Sequence, residues 1–331
     1  MSEQILSRGK NRSCTNPPCP NVSQSVAWLT NLAYVVDGGP EQQMDLYIPT
    51  DRKGEPLVVY VHGGGWKHGD KAGDSINPNN LQWLWQGYAM ASINYRLAPA
   101  AYWPAQIQDC KAAIRWLKAQ AGEYGYDPQR IGVVGESAGG HLAAMLGTTI
   151  GIKTFEVGEN LDFTSDITCA VNLFGPTDLT RLSWAATTLL GPAGEQNPDL
   201  VRGASPTSYV HKDQAPMLLV HGTGDKLVPY DQAEALADAM DRCNAPYHFH
   251  AVIGGGHNPY FGLGVNPATG NFDVGGGGAG LLEDKAVEPL ITAFLGHYLL
   301  DGRKDIFCWP TAVGNGKNSR NTFRDSFPHS G

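Results

Sequence analysis

Residues 131–141 read "IGVVGESAGGH". A short apolar run stops at Gly135, and "AGGHLAAMLG" (138–147) continues in helix-forming residues. Serines and glycines fill ordinary turns, so five loosely specified positions say little alone. Between a strand and a helix, however, Gly-x-Ser-x-Gly is the sharp turn that holds a serine hydroxyl up as a nucleophile. Gly135 and Gly139 provide the small flanks, and Ala138 and Gly140 add room. The helix N-terminus sets a partial positive charge beside the hydroxyl of Ser137.

The flanking chain supplies the context such a turn needs. "LAYVVD" (32–37), "QMDLYIP" (43–49), "PLVVYVHGG" (56–64) and "YAMASINYR" (88–96) read as strands. So do "ITCAVNLFG" (167–175), "APMLLVHGTGD" (215–225) and "YHFHAVIGG" (247–255). Helical patterns fall at 104–122, 138–149, 231–243 and 283–299. Unbroken apolar strands alternating with helices predict an α/β fold, a mostly parallel central sheet flanked by helices on both faces. Residues 1–30 read as an arm, 31–301 as the body and 302–331 as a polar, poorly ordered tail. Residues 177–213 break the rhythm and read as a small cap or a long loop excursion. The glycine-rich run at 262–281 has no lysine and does not lead a strand into a helix, so it reads as a surface loop rather than a phosphate cradle.

A serine hydroxyl needs a base. His257, in "VIGGGHNPYF", follows a strand on a loop of small residues. His62 and His221 end buried strands and are expected to hydrogen-bond locally. His248 and His250 alternate on a strand; no third ligand has suitable spacing, so no metal site is expected. The base needs a carboxylate to hold its tautomer and stabilise its cation. Asp225, in "LLVHGTGDKLVP", sits just past a buried strand; a plain turn-forming role is the alternative. Asp241 is the reserve, with the look of a helix-surface residue. The order Ser137, Asp225, His257 is that of α/β-hydrolases. For the oxyanion of an acyl-transfer step, "VYVHGGGW" offers backbone N–H groups at a strand end. Gly64 and Gly65 are assigned to it together with Ala138, and His62 to bracing the loop. Trp66 is expected to wall an acyl pocket or to add its own N–H. Trp66, Trp103, Tyr260 and Phe261 are candidates to line an aromatic-friendly substrate pocket, or else pack in the core.

Composition sets outer bounds. The chain has 331 residues, is 42% hydrophobic and 17% charged, and carries a net charge of −8. No basic run stands out, so no nucleic-acid partner is expected. No window of roughly eighteen apolar residues suggests a membrane span. The first twenty residues lack the apolar middle of a signal peptide, which leaves a cytoplasmic protein or one whose signal has been removed. Of the six cysteines, none forms a C-x-x-C pair. Cys169 reads as a packing residue. Cys14 and Cys19 flank a proline-rich loop that a small disulfide would close, as an oxidising compartment would permit.

Taken together, "HGGGW", "NYRLAP" (94–99), "WPAQIQD" (103–109), "DPQRIGVVGESAGGHLAA" (127–144), "HGTGDKLVP" (221–229) and "GGGH" (254–257) resemble α/β-hydrolase esterases of the hormone-sensitive-lipase-like group. "MDLYIP" and the H-G-G-G-W form are also similar to bacterial acetyl-xylan and feruloyl esterases. The resemblance covers residues 43–300. It implies carboxylic ester hydrolysis without a cofactor, a small-molecule or polysaccharide-linked ester as substrate, and mainly structural roles for Tyr95 and Asp109. An arylformamidase-type amidase, an acyltransferase and a non-catalytic binding protein are the competing readings.

Overall fold

The computed structural model describes residues 4–5, 26–72, 83–84, 86–257, 286–305, 307 and 319–321. Its strands are β1 (Gln4–Ile5), β2 (Val26–Ala33), β3 (Gln43–Pro49), β4 (Glu55–Val61), β5 (Ala89–Ile93), β6 (Tyr126–Glu136), β7 (Cys169–Leu173), β8 (Met217–Gly222), β9 (Tyr247–Val252) and β10 (Ser319–Asn321). They form one sheet in the order β1-β2-β3-β5-β4-β6-β7-β8-β9-β10. β5, β4, β6, β7, β8 and β9 run parallel. β3 is antiparallel to both its neighbours, and β1 and β10 pair antiparallel at the edges. Every residue of β5, β7 and β8 is buried. Strands covered on both faces need no polar side, hence their unbroken apolar runs.

The helices are α1 (Ala105–Tyr124), α2 (Ala138–Thr148), α3 (Ser183–Glu195), α4 (Pro198–Gly203), α5 (Asp231–Cys243) and α6 (Val287–Leu295). Because strand side chains alternate between faces, neighbouring valines feed different cores. Val59 and Val133 pack with Ile107 of α1, Leu142 of α2, Leu189 of α3 and Leu236 of α5. Val58 and Val134 pack on the other face with Ile291 and Phe294 of α6. This is the α/β-hydrolase fold, with helices on both faces as expected.

Three boundaries differ from the sequence reading. Residues 1–30 read as an arm, yet Val26 onward already pairs with β3 across an irregularity between Leu29 and Leu32. The chain leaves β2 after Ala33, because the Gly38 N–H bonds back to the Val35 carbonyl and starts the reversal into β3. Residues 177–213 are largely helical, and Ala185, Ala186, Leu189 and Val201 join the main core. In the tail, Phe307 is buried against Phe294 at 5.5 Å, so an apolar anchor holds part of that segment. Cys14, Cys19 and the 262–281 run lie outside the described residues, and Cys169 is wholly buried.

All of α2 is buried, so its packing is unforgiving. Leu142→Ala is expected to lower stability by about 2–5 kcal/mol, read as a shift of the guanidinium midpoint at unchanged m-value. A midpoint equal to that of the parent protein would contradict close packing of this helix.

Candidate active site

β4 lies between β5 on one side and β6 on the other. The connections leaving the carboxyl ends of β4 and β6 therefore diverge, and a crevice opens between them, the place where open parallel sheets bind ligands. The 62–69 loop follows β4 and Ser137 follows β6, so sheet order alone brings the two motifs to one crevice.

Ser137 has φ 52° and ψ −115°, a conformation that L-residues rarely hold. Its N–H donates to the Leu173 carbonyl at 2.9 Å, and its own carbonyl accepts from the His141 N–H at 3.0 Å. The turn is too tight for side chains beside it. A Cβ on Gly135 would overlap the Gly139 carbonyl, and one on Gly139 would overlap the Val61 carbonyl oxygen of β4. These two glycines let the helix start directly against the sheet.

His257 Nε2 lies 3.0 Å from Ser137 Oγ. His257 Nδ1 lies 2.7 Å from Asp225 Oδ2. Asp225 Oδ1 accepts the N–H groups of Leu227 at 2.9 Å and Val228 at 3.0 Å, while His221 Nε2, which donates to the Val228 carbonyl at 2.8 Å, lies 3.3 Å from Oδ2. Burial alone would push the Asp225 carboxyl up, but hydrogen bonds from His221 and His257 outweigh it and hold the group at about 2. Asp225 is thus a carboxylate and accepts only. Nδ1 of His257 must then carry the hydrogen, leaving the Nε2 lone pair toward the serine hydroxyl. The edge of Phe174 packs on the His257 ring at 4.9 Å and 72°.

The 62–69 loop is fixed from several sides. Lys67 and His68 N–H groups both donate to the Gly64 carbonyl at 3.1 Å. The Tyr95 hydroxyl donates to the His62 carbonyl at 2.9 Å, and the two rings stack at 4.4 Å. A buried ion pair, Lys71 Nζ to Asp45 Oδ1 at 3.0 Å, ties the loop's end to β3. Asp109 pairs with Arg96 and accepts from Gln42, which holds the segment after β5. Among the described residues, the N–H groups of Gly64, Gly65 and Ala138 find no acceptor.

The remaining candidates separate. Trp66 has no exposed surface; its ring meets His141 at 5.1 Å and Trp184 at 6.3 Å. Trp103 is buried against His141 and Phe155. Both rings pack in the core rather than facing an open pocket. Tyr260 and Phe261 lie outside the described residues. Asp241, the reserve acid, accepts from the Tyr247 hydroxyl at 3.0 Å instead. His141, one turn past Ser137, is pushed down to about 4 by burial, against the opposing effect of its bond to the Ala204 carbonyl; it is a neutral packing residue. Among the described residues no group of three or more His, Cys, Asp or Glu side chains could hold a metal ion. His221, Phe174 and Trp184 escaped the sequence reading as members of the site. For His221 a signal existed, its position four residues before Asp225 at the same strand end. The indole N–H of Trp184 donates to the Leu227 carbonyl at 3.2 Å, so α3 reaches both the acid loop and Trp66.

A family model described as BD-FAE matches residues 44–240, more than half of the chain. The chain belongs to the BD-FAE family. It is 34% identical over 195 residues to the probable carboxylic ester hydrolase LipM of Mycobacterium tuberculosis, covering 56% of this chain and 44% of LipM. It is 30% identical to esterase LipQ of the same organism, over 67% of this chain and 55% of LipQ. The chain thus spans about half the length of these relatives. Among solved structures, a truncated carbohydrate esterase from gut microbiota superposes with a TM-score of 0.66 at 33% identity, over 70% of this chain and 89% of that one. An acetyl ester-xyloside bifunctional hydrolase from Caldicellulosiruptor lactoaceticus gives 0.56 at 26% identity, over 77% and 87%.

The low Asp225 value carries a stability signature. The folded group binds its proton more weakly than the unfolded one, so its contribution is full above about pH 4 and is lost as pH falls toward 2. Asp225→Asn should remove this dependence, worth roughly 2 kcal/mol. Denaturant midpoints between pH 2 and 5 test it: the gap between parent and variant should close on acidification, and a constant gap would refute the assignment.

Proposed function

We propose that the protein is a serine carboxylic-ester hydrolase, with Ser137 as nucleophile, His257 as general base and acid, and Asp225 as the carboxylate that orients it. The observation that carries this is the continuous chain Ser137 Oγ, His257 Nε2, His257 Nδ1, Asp225 Oδ2, with links of 3.0 and 2.7 Å. His257 takes the hydroxyl proton as Oγ attacks the ester carbonyl. The negative charge that develops on the carbonyl oxygen is received by the N–H groups of Gly64, Gly65 and Ala138, each worth about 3 kcal/mol in such sites. The His257 cation, facing an ionised Asp225, then protonates the leaving alcohol. Water, deprotonated by the same imidazole, attacks the acyl-enzyme and frees the acid.

The substrate class we favour is a short acyl ester of a carbohydrate, acetyl foremost and feruloyl second. Similarity to a carbohydrate esterase and to an acetyl ester-xyloside hydrolase supports it, as does membership of the BD-FAE family.

Ser137→Ala should reduce p-nitrophenyl acetate hydrolysis by about 10⁴-fold or more while the thermal midpoint stays near that of the parent. Activity retained in this variant would refute the mechanism. Asp225→Asn should cost about 10⁴-fold by favouring the wrong imidazole tautomer. A panel of acetylated xylan, methyl ferulate and N-formylkynurenine addresses the substrate: acetate release from xylan is expected, and turnover of the formamide alone would reassign the protein as an amidase.

A further inference from the structure

α2 separates two regions of the surface. Ser137 stands at its N-terminal end; the loop 149–166 leaves its C-terminal end and returns to the start of β7. Eleven residues of helix place the two ends about 16 Å apart. This second loop lines an open cavity of about 320 Å³, with Lys153, Glu156, Leu161, Phe163, Thr164 and Asp166 among its walls. That volume lies at the lower end of small-molecule sites, roughly 300–1,000 Å³.

The walls of this cavity are held rigidly. Lys111, Arg115 and Lys118 project from one face of α1 at helical spacing. Lys111 Nζ donates to the Thr149 carbonyl at 3.1 Å and to Glu156 Oε1 and Ser165 Oγ at 3.0 Å each. Arg115 binds Glu156 and the carbonyls of Val157 and Glu159. Lys118 reaches Thr164 Oγ1 at 3.2 Å and the Asp166 carbonyl at 2.6 Å. Both arms of the loop are thus clamped to one helix, and Lys111 and Arg115 are themselves buried.

The lining has a definite chemistry. Phe163 is 42% exposed and Leu161 58%, and both line the cavity. Scattered apolar side chains on a surface are ordinary; two exposed ones lining a single cavity, one of them aromatic, raise the question of what that cavity holds. Next to them the exposed Lys153 side chain makes no ion pair or hydrogen bond among the described residues. Asp166 Oδ1 receives only a long bond, 3.4 Å, from the Gly151 N–H. An aromatic face beside an exposed ammonium and a carboxylate suits a ligand with an apolar face and hydroxyls that both donate and accept. The two opposite charges disfavour a ligand of either sign. We propose that this cavity is a binding site for neutral oligosaccharide chains, separate from the Ser137 centre, with Phe163 as the stacking platform.

Calorimetric titration of the intact protein with xylohexaose and cellohexaose tests this, since neither sugar carries an ester. Saturable binding of at least one is expected, weakened about tenfold by Phe163→Ala and further in Phe163→Ala/Lys153→Ala. p-Nitrophenyl acetate turnover should stay within about twofold of the parent, because no substituted residue touches the crevice. Absence of binding to both sugars, or binding unchanged in the double variant, overturns the proposal. The readout does not require hydrolysis: an inactive protein whose sugar binding depends on Phe163 would sink the esterase reading and spare this one, and the converse result would do the reverse.

Discussion

Ser137 can hold its left-handed backbone only because the chain on either side has nowhere else to go. A non-glycine residue in such a region costs on the order of 1–3 kcal/mol. What offsets it is packing. α2 is buried along its whole length, and the Ser137 N–H is claimed by the Leu173 carbonyl of the adjoining strand. Relaxing the turn would lift a fully buried helix off the sheet. The same tightness sets the sequence on both sides, since side chains at 135 and 139 would overlap main-chain oxygens. Strain, glycine spacing and helix burial are therefore one constraint seen at three levels.

The carboxylate end of the site follows a comparable economy. Asp225 divides its two oxygens: Oδ1 closes its own turn through the Leu227 and Val228 N–H groups, and Oδ2 faces His257 and His221. The turn-forming and histidine-orienting roles that looked like rivals in the sequence are both fulfilled by one group. Three N–H donors, with the His221 ring close by, hold the charge in a buried place where a lone carboxylate would take up a proton. On the opposite side of the crevice, the buried Lys71–Asp45 pair costs desolvation and contributes little net stability of its own. Its consequence is positional: together with Tyr95 it leaves the 62–69 loop few alternative shapes.

The parts legible in the sequence are those whose evidence is local. Ser137, Asp225 and His257 each follow an apolar strand on small residues, and Gly64 and Gly65 follow another, so pattern and chain order were sufficient to nominate them. The central strands were legible because burial on both faces removes all alternation. What could not be read depends on which strands become neighbours. That Phe174 would meet His257, or that Trp66 would be roofed by His141 and Trp184, follows from the order β4-β6-β7-β8, which no single segment encodes. The start of β2 was missed for a related reason: this partly exposed strand, "VAWLTNLA", mixes polar and apolar residues, and the more apolar "LAYVV" beside it contains the turn. Phe307 was hidden in a polar tail, where one aromatic residue suffices to anchor a chain.

The inserted segment 177–213 links the halves of the crevice. α3 donates its Trp184 indole N–H to the acid loop at Leu227 and sets the same ring near Trp66 of the 62–69 loop. Further along, the Leu189 carbonyl accepts the Trp103 N–H at 3.0 Å, which fixes α3 to the entry of α1. Beyond that bond the helix is broken at Gly191, with φ 74° ahead of Pro192. The first two turns of α3 are thus fastened to three loops, whereas the part after the break packs mainly with α4. A displacement of the fastened half would move the 62–69 loop and the loop after Asp225 together, because the Trp184 side chain meets both. The crevice is therefore set by one bridging helix as well as by the sheet beneath it, and substitutions along α3 should alter both sides of the site jointly rather than one at a time.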